Sequence, residues 1–223
     1  MEFDLIYPEN KSKAVDAECV IAAVFFDEDE LLSFGVKSDS PELDDAFYNF
    51  NQFEKDFEIW SSPQYLSDFF DQFKSFFQVE YWHNISEFTF QSEVSKSLNE
   101  IRKRILDAME NNKFHELVLP LEPDEEDKRI YKSIRVKLKQ GTIIGHYPFR
   151  FYAIEVEEKK CYLITGATIK VHKDMKQADN TKIELQKLEY TLEYINENDL
   201  DSKDIFVTNA LEQNNTTYQY NYQ

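Results

Sequence analysis

The 223-residue chain carries 43 acidic and 25 basic side chains, a formal charge of −18, yet 42% of it is apolar and 19 residues are Phe. That length and apolar content support a sizeable core and exclude global disorder. Only four glycines are present (Gly35, Gly141, Gly145 and Gly166), so neither a phosphate-cradling loop nor a dinucleotide fingerprint can be built.

No run of 18 uninterrupted apolar residues occurs, so no membrane span is expected. The start "MEFDLIYPEN" is acidic and lacks the basic region of a secretory signal. A cytoplasmic protein is therefore expected, with Cys19 and Cys161 as reduced thiols. No zinc pattern, HExxH or GxSxG is present, and "DEDE" and "DEEDK" lack the ligand spacing of calcium loops. No cofactor and no metal are expected. Glu157 and Lys159 have the Glu-x-Lys spacing of a metal-dependent nuclease, but no upstream aspartate completes it.

In chain order, "CVIAAVFF", an acidic turn and "LLSFGV" predict a β-hairpin or two adjacent strands. Ser40 as N-cap and Pro41 at the first helical position predict a helix running through Leu43, Phe47, Phe50, Phe57 and Trp60. "SSP" ends it and starts another, with Leu66, Phe69, Phe70, Phe73 and Phe77 on one face. "SEFTF" reads as a short strand before a helix carrying Val94, Leu98, Ile101, Ile105 and Met109.

After an acidic connection come three strand patterns, "RIYKSIRVKLK", "YPFRFYAIEVE" and "KCYLITGATIKV", spaced for an antiparallel meander. "TKIE" reads as a capping box, Thr181 capping and Glu184 reaching back, ahead of a helix that buries Ile183, Leu185, Leu188, Leu192 and Ile195. The polar end, "NNTTYQYNYQ", is expected to be a mobile tail.

Charge divides the chain. Residues 1–90 hold 20 acidic and 5 basic side chains, net −15, and 15 of the 19 Phe. Residues 91–195 are nearly balanced. The expected organisation is an acidic, Phe-rich segment over 1–85, an α+β module over 86–195 and an acidic then polar tail over 196–223. Within the module, Arg135, Lys137 and Lys139 alternate with apolar residues along one strand. Such a row is most often the solvated face of a sheet.

The order of elements from 86 to 195 resembles the RelE/HigB-like toxin superfamily, in particular its phage Gp49-like branch. The resemblance rests on "RVKLK", "FRFYAI", "LITGATIKVHKDM" and the "TKIELQKLEY" helix. It implies an antiparallel sheet with helices on one side, here preceded by an acidic hairpin-plus-helices segment.

The full chain is also similar to a bacterial family without a settled function. Trp60, Pro63, Tyr65, Leu66, Phe69 and Phe70 match its Trp-x-x-Pro-x-Tyr-Leu-x-x-Phe-Phe segment. Ile164, Thr165, Gly166, Ala167, Thr168, Ile169 and Lys170 follow its Ile-Thr-Gly-Gly-Ala-Ile-Lys segment, with Ala167 in place of a glycine. Thr181, Glu184, Leu185, Lys187 and Leu188 follow its third segment, where Asn180 replaces a histidine.

The RelE-like resemblance implies the toxin of a toxin–antitoxin pair, a metal-independent endoribonuclease acting on mRNA at the ribosome, with a cognate antitoxin as partner. In that reading Arg135, Lys137, Lys139 and Lys173 bind RNA, and Arg150 holds the scissile phosphate. Tyr152 stacks on a base or orients the 2′-hydroxyl, His172 is the acid or base, and Lys170 stabilises developing charge. The alternative is a non-catalytic interaction module that binds a basic partner through the acidic first segment. The two differ in one geometric respect: whether those cationic residues converge on an exposed face.

Overall fold

The computed structural model describes residues 1–47, 49–79, 82, 84–121, 131–134, 149–172 and 174–220, the backbone only for a few of these. It is a mixed α/β fold. Strands β1 (Glu2–Tyr7), β2 (Val20–Phe25), β3 (Val118–Pro120), β4 (Tyr131–Ile134), β5 (Phe149–Glu157) and β6 (Cys161–Ile169) form one sheet in the order β1-β2-β6-β5-β4-β3. The expected β4-β5-β6 meander is antiparallel, and β1 is antiparallel to β2. The β2–β6 pair is parallel, so the sheet is mixed rather than antiparallel.

Helices pack on both faces, not one. On the first face lie α2 (Gln52–Ser61), α3 (Pro63–Gln72), α4 (Lys74–Phe77), α5 (Glu87–Glu110) and α6 (Phe114–Leu117). Their aromatic stripe, with Trp60, Phe69, Phe77 and Phe90, meets Phe149, Phe151, Tyr162 and Ile164 of the sheet. On the second face lie α1 (Glu28–Ser33), α7 (Asp179–Glu197) and α8 (Lys203–Tyr220), against Leu5, Val24, Tyr152 and Leu163. Burial in these two clusters is what removes so many Phe from water.

Several local expectations change. "LLSFGV" is not a strand. Asp27 and Glu30 form a capping box that starts α1, and the antiparallel partner of β2 is β1. Ser40 does cap, with Pro41 following, but only a 3-10 turn results (Pro41–Leu43), and α2 begins later under an Asn51–Glu54 capping box. "SEFTF" is helical, because the Ser86 hydroxyl accepts from Thr89 N–H and opens α5 directly. The backbone of "NNTTYQY" continues α8, whose preceding turns are anchored: Phe206, Val207 and Ala210 are buried, and Gln213 Oε1 accepts from Phe3 N–H on the edge strand at 3.1 Å.

The compositional boundary near 85 does not divide the sheet, since β2 of the acidic segment sits directly beside β6 of the balanced one. Cys19 and Cys161 are free and buried. Burial pushes the Cys19 thiol up to about 11 and the Cys161 thiol higher, so neither is a reactive thiolate.

One irregularity places the site described next. In the β5–β6 ladder Tyr152 pairs with Gly166 but Ala153 pairs with Ile164, leaving Thr165 as an extra residue. This bulge exchanges the faces of β6: Tyr162 and Ile164 point into the first layer before it, Ala167 and Ile169 after it. Gly166 and Thr168 consequently meet α7 on the other side.

Candidate functional site

β2 accompanies β6 only from Cys161 to Ile164. Beyond that point α2 covers the strand's edge, and the Trp60 indole N–H donates to the Ala167 carbonyl at 3.1 Å. A second indole, Trp82, donates to the Val171 carbonyl at 2.9 Å. Each bond serves a carbonyl beyond the reach of β2, whose pairing with β6 ends at Ile164.

Because α2 sits at this edge, its polar side reaches around to α7. Lys187, fully buried on α7, donates to Glu184 Oε1 at 3.1 Å and to Glu42 Oε2 at 2.9 Å. Asp56 on α2 faces the same group and is 2% exposed; its Oδ1 accepts from Gln52 Nε2 at 3.0 Å. Lys55, also buried, donates to the Glu42 carbonyl at 3.1 Å and so anchors the loop that carries Glu42.

Three carboxylates thus surround one ammonium. Burial raises the Glu184 carboxyl to about 7; Lys187 pulls it down and Glu42 pushes it up. Burial also lifts Asp56 well above the carboxylate range, against Lys187 and with Glu184 and Glu42. For Lys187 burial works against the charge, but the three carboxylates outweigh it and hold its pKa above the usual value. Near neutral pH the cluster therefore retains a proton among its carboxyls.

Above the cluster opens a cavity of about 780 Å3, between α2–α3, the first turns of α7 and the Phe34–Glu42 loop. Trp60, Tyr65, Phe69, Ala167, Asn180 and Glu184 are among its walls. Three segments far apart in the chain meet here: Glu58–Phe73 on α2–α3, Ala167 and Thr168 of β6, and the start of α7. Glu184 does not reach back to cap α7, which has no side-chain cap at Ala178. The Thr181 hydroxyl donates to the carbonyls of Met175 and Ala178 instead.

Of the residues expected to act on RNA, the four described ones do not share one exposed face. Tyr152 is fully buried and Arg150 is 5% exposed, both on the sheet face that carries α7. Lys170 is half-buried just past β6. His172 is half-buried on the opposite side, its ring edge-on to Phe76 of α4 at 5.7 Å and its Nδ1 3.0 Å from Asp174 N. Arg135, Lys137, Lys139 and Lys173 lie outside the described residues. Burial stops Arg150 and Tyr152 from touching a phosphate or a base in this conformation. Among the described residues no group of His, Cys, Asp and Glu is arranged to hold a metal ion, and no helix is long and apolar enough to cross a membrane.

Sequence reasoning missed Lys187 and Asp56, and read Glu184 as a cap. One signal was available: Thr181, Glu184, Lys187 and Thr191 repeat at helical spacing beside the apolar stripe of α7, and all four are buried. No protein-family profile, curated protein or solved structure matches this chain.

Proposed function

We propose that this protein is a non-catalytic interaction module that binds a basic protein partner through its acidic first segment. The observation that carries this reading is the cavity wall. Among the described lining residues six are acidic (Asp39, Glu42, Glu58, Asp68, Asp179 and Glu184) and two are basic, Lys37 and Lys182. Among the described residues before position 91, 14 acidic side chains are exposed, three of them (Asp39, Glu58 and Asp68) on the cavity wall. A surface of this sign attracts a cationic partner from beyond contact distance and repels nucleic acid.

The test uses the full chain and protamine as a defined basic polypeptide. Charge reversal at Glu58 and Asp68, beside the cavity, should weaken binding several-fold more than reversal at the exposed Glu189 and Glu193 of α7. Equal losses from the two pairs would mean that only net charge matters and would overturn the reading.

The RelE-like expectation of mRNA cleavage keeps one observation in its favour: Lys170 and His172 are both partly accessible near the end of β6. Induced expression tests it directly. Transcript cleavage that is abolished by combined Lys170→Ala and His172→Ala would replace the interaction reading with the enzymatic one.

A further inference from the structure

We propose that the cavity between α2–α3 and α7 receives an arginine side chain from a basic peptide segment of the partner. This inference rests on the interaction reading and names its site. Three independent features of the wall point to that occupant.

The first is a pair of buried acceptors without hydrogen-bond partners. Glu184, 3% exposed, has a buried Oε2 with no hydrogen-bond partner. Asn180, one turn earlier on the same wall, donates through Nδ2 to Thr168 Oγ1 at 2.9 Å and to the Ile169 carbonyl at 2.7 Å. Those two bonds fix the amide, so that its Oδ1 is the free end, and that oxygen too is buried without a partner. Buried acceptors without donors carry an energetic penalty that a donor-rich ligand relieves. A guanidinium brings five N–H groups and no acceptor.

The second is the aromatic lining. Trp60 and Phe69 are buried with ring centroids 5.0 Å apart, and Tyr65 lies edge-on to Trp60 at 4.9 Å. Tyr65 and Phe47 are the half-buried rings of the wall. A planar, weakly hydrated guanidinium can lie on such a ring while its edge bonds a carboxylate, which a compact ammonium cannot do.

The third is the arrangement of charge and size. Of the two lining lysines, Lys182 is already paired with Asp179 at 2.9 Å. Glu58, Asp68 and Asp39 are exposed, so they form a rim suited to neighbouring cationic residues, while Glu184 is buried behind it with its Oε2 against Gly166. The 780 Å3 volume lies inside the range of roughly 300–1,000 Å3 typical of ligand sites and leaves room for backbone on either side of the arginine.

The charged groups that face Glu184 set how binding depends on pH. Glu42 and Asp56 oppose its ionisation, Lys187 favours it, and the Tyr65 hydroxyl faces the same group from α3. An arriving guanidinium adds a second cation, which draws the retained proton off the cluster. Binding therefore releases protons and tightens as pH rises from 6 to 8.

The experiment is calorimetric titration of the full chain with the acetylated, amidated peptide Gly-Gly-Arg-Gly-Lys, followed also by tryptophan emission. The same peptide with citrulline in place of arginine keeps the shape and removes the charge. Expected are saturable binding of the arginine peptide, at least ten-fold weaker binding of the citrulline peptide, and a three- to ten-fold loss in Glu184→Gln. The exposed pair Glu58→Gln with Asp68→Asn, which should leave folding untouched, should also weaken it, so the conclusion does not hang on one buried substitution.

Equal affinity for the citrulline peptide, or no effect of either variant, would overturn the proposal. Tight binding of spermidine that excludes the arginine peptide would overturn it in favour of a free polyamine. If protamine binds with the Glu58 and Asp68 dependence described above but the arginine peptide does not bind, the arginine site falls and the interaction reading stands. If neither binds, both fall.

Discussion

Gly166 and Glu184 occupy a space that only one of them can fill: a β-carbon on residue 166 would stand 2.0 Å from Glu184 Oε2. The glycine is required here by volume. The acid cannot simply swing aside, because its other oxygen is held by Lys187 at 3.1 Å. Gly166→Ala should therefore destabilise the fold by about 1–3 kcal/mol, the usual range for an overpacked site. Combining it with Glu184→Ala removes the collision, so the two costs should fall short of their sum by about 0.5–3 kcal/mol. Urea denaturation of the four proteins in this cycle measures the coupling, and strict additivity would contradict the contact.

The same carboxyl gives stability a defined pH dependence. Its folded pKa of about 7 exceeds the unfolded value near 4.5, so the folded state holds a proton that the unfolded state releases. Stability should then decline as pH rises from about 4.5 to 7 and level off above. Asp56, also raised, acts with the same sign from a lower starting pH. Glu42, Asp56, Lys187 and Tyr65 face Glu184, and the decline should amount to something on the order of 1–3 kcal/mol. Glu184→Gln should flatten much of this slope when urea midpoints are compared between pH 5 and pH 8. An unchanged slope would assign the titration to another group.

Lys187 holds the cluster together, and its loss should be costly. Lys187→Met preserves length but takes from Glu42, Asp56 and Glu184 the ammonium they share, leaving only Lys55 beside Glu42 and Asp56. Removing one partner of a buried pair typically costs about 3–5 kcal/mol. Lys182→Ala, one turn away and exposed, should change stability by no more than about 0.5 kcal/mol. Chemical denaturation distinguishes the two cleanly.

The C-terminal helix should be indispensable up to its middle. A chain ending at Ser202 loses Phe206, Val207 and Ala210 from the second core and the Gln213 bond to Phe3 N–H. It should lose cooperative unfolding, whereas a chain ending at Gln213 should melt within a few degrees of the full protein. Circular dichroism melts decide it; similar melts for both chains would return this segment to the status of a tail.

Much of the architecture was legible because it depends on local pattern. The Phe stripe of α3, the Ser62–Pro63 start of that helix, and the β4-β5-β6 meander all follow from periodicity and turn chemistry over a few residues. The same local logic misled where two patterns compete. "LLSFGV" suits a strand by composition, but the Asp27–Glu30 capping box makes its first half helical. Glu184 lies at capping-box distance from Thr181, and tertiary burial claims it instead.

The sequence by itself determined the charge asymmetry, the aromatic content of the first segment and the existence of most helices and strands. The tertiary structure alone decided where those pieces meet. A single extra residue at Thr165 reverses which side of β6 each later side chain takes, and strict alternation cannot reveal it. That reversal turns Gly166 toward Glu184 and Ala167 toward Trp60, and it joins three segments far apart in the chain around one acidic cavity. Periodicity reports which residues share a face; only packing selects what lies across from it.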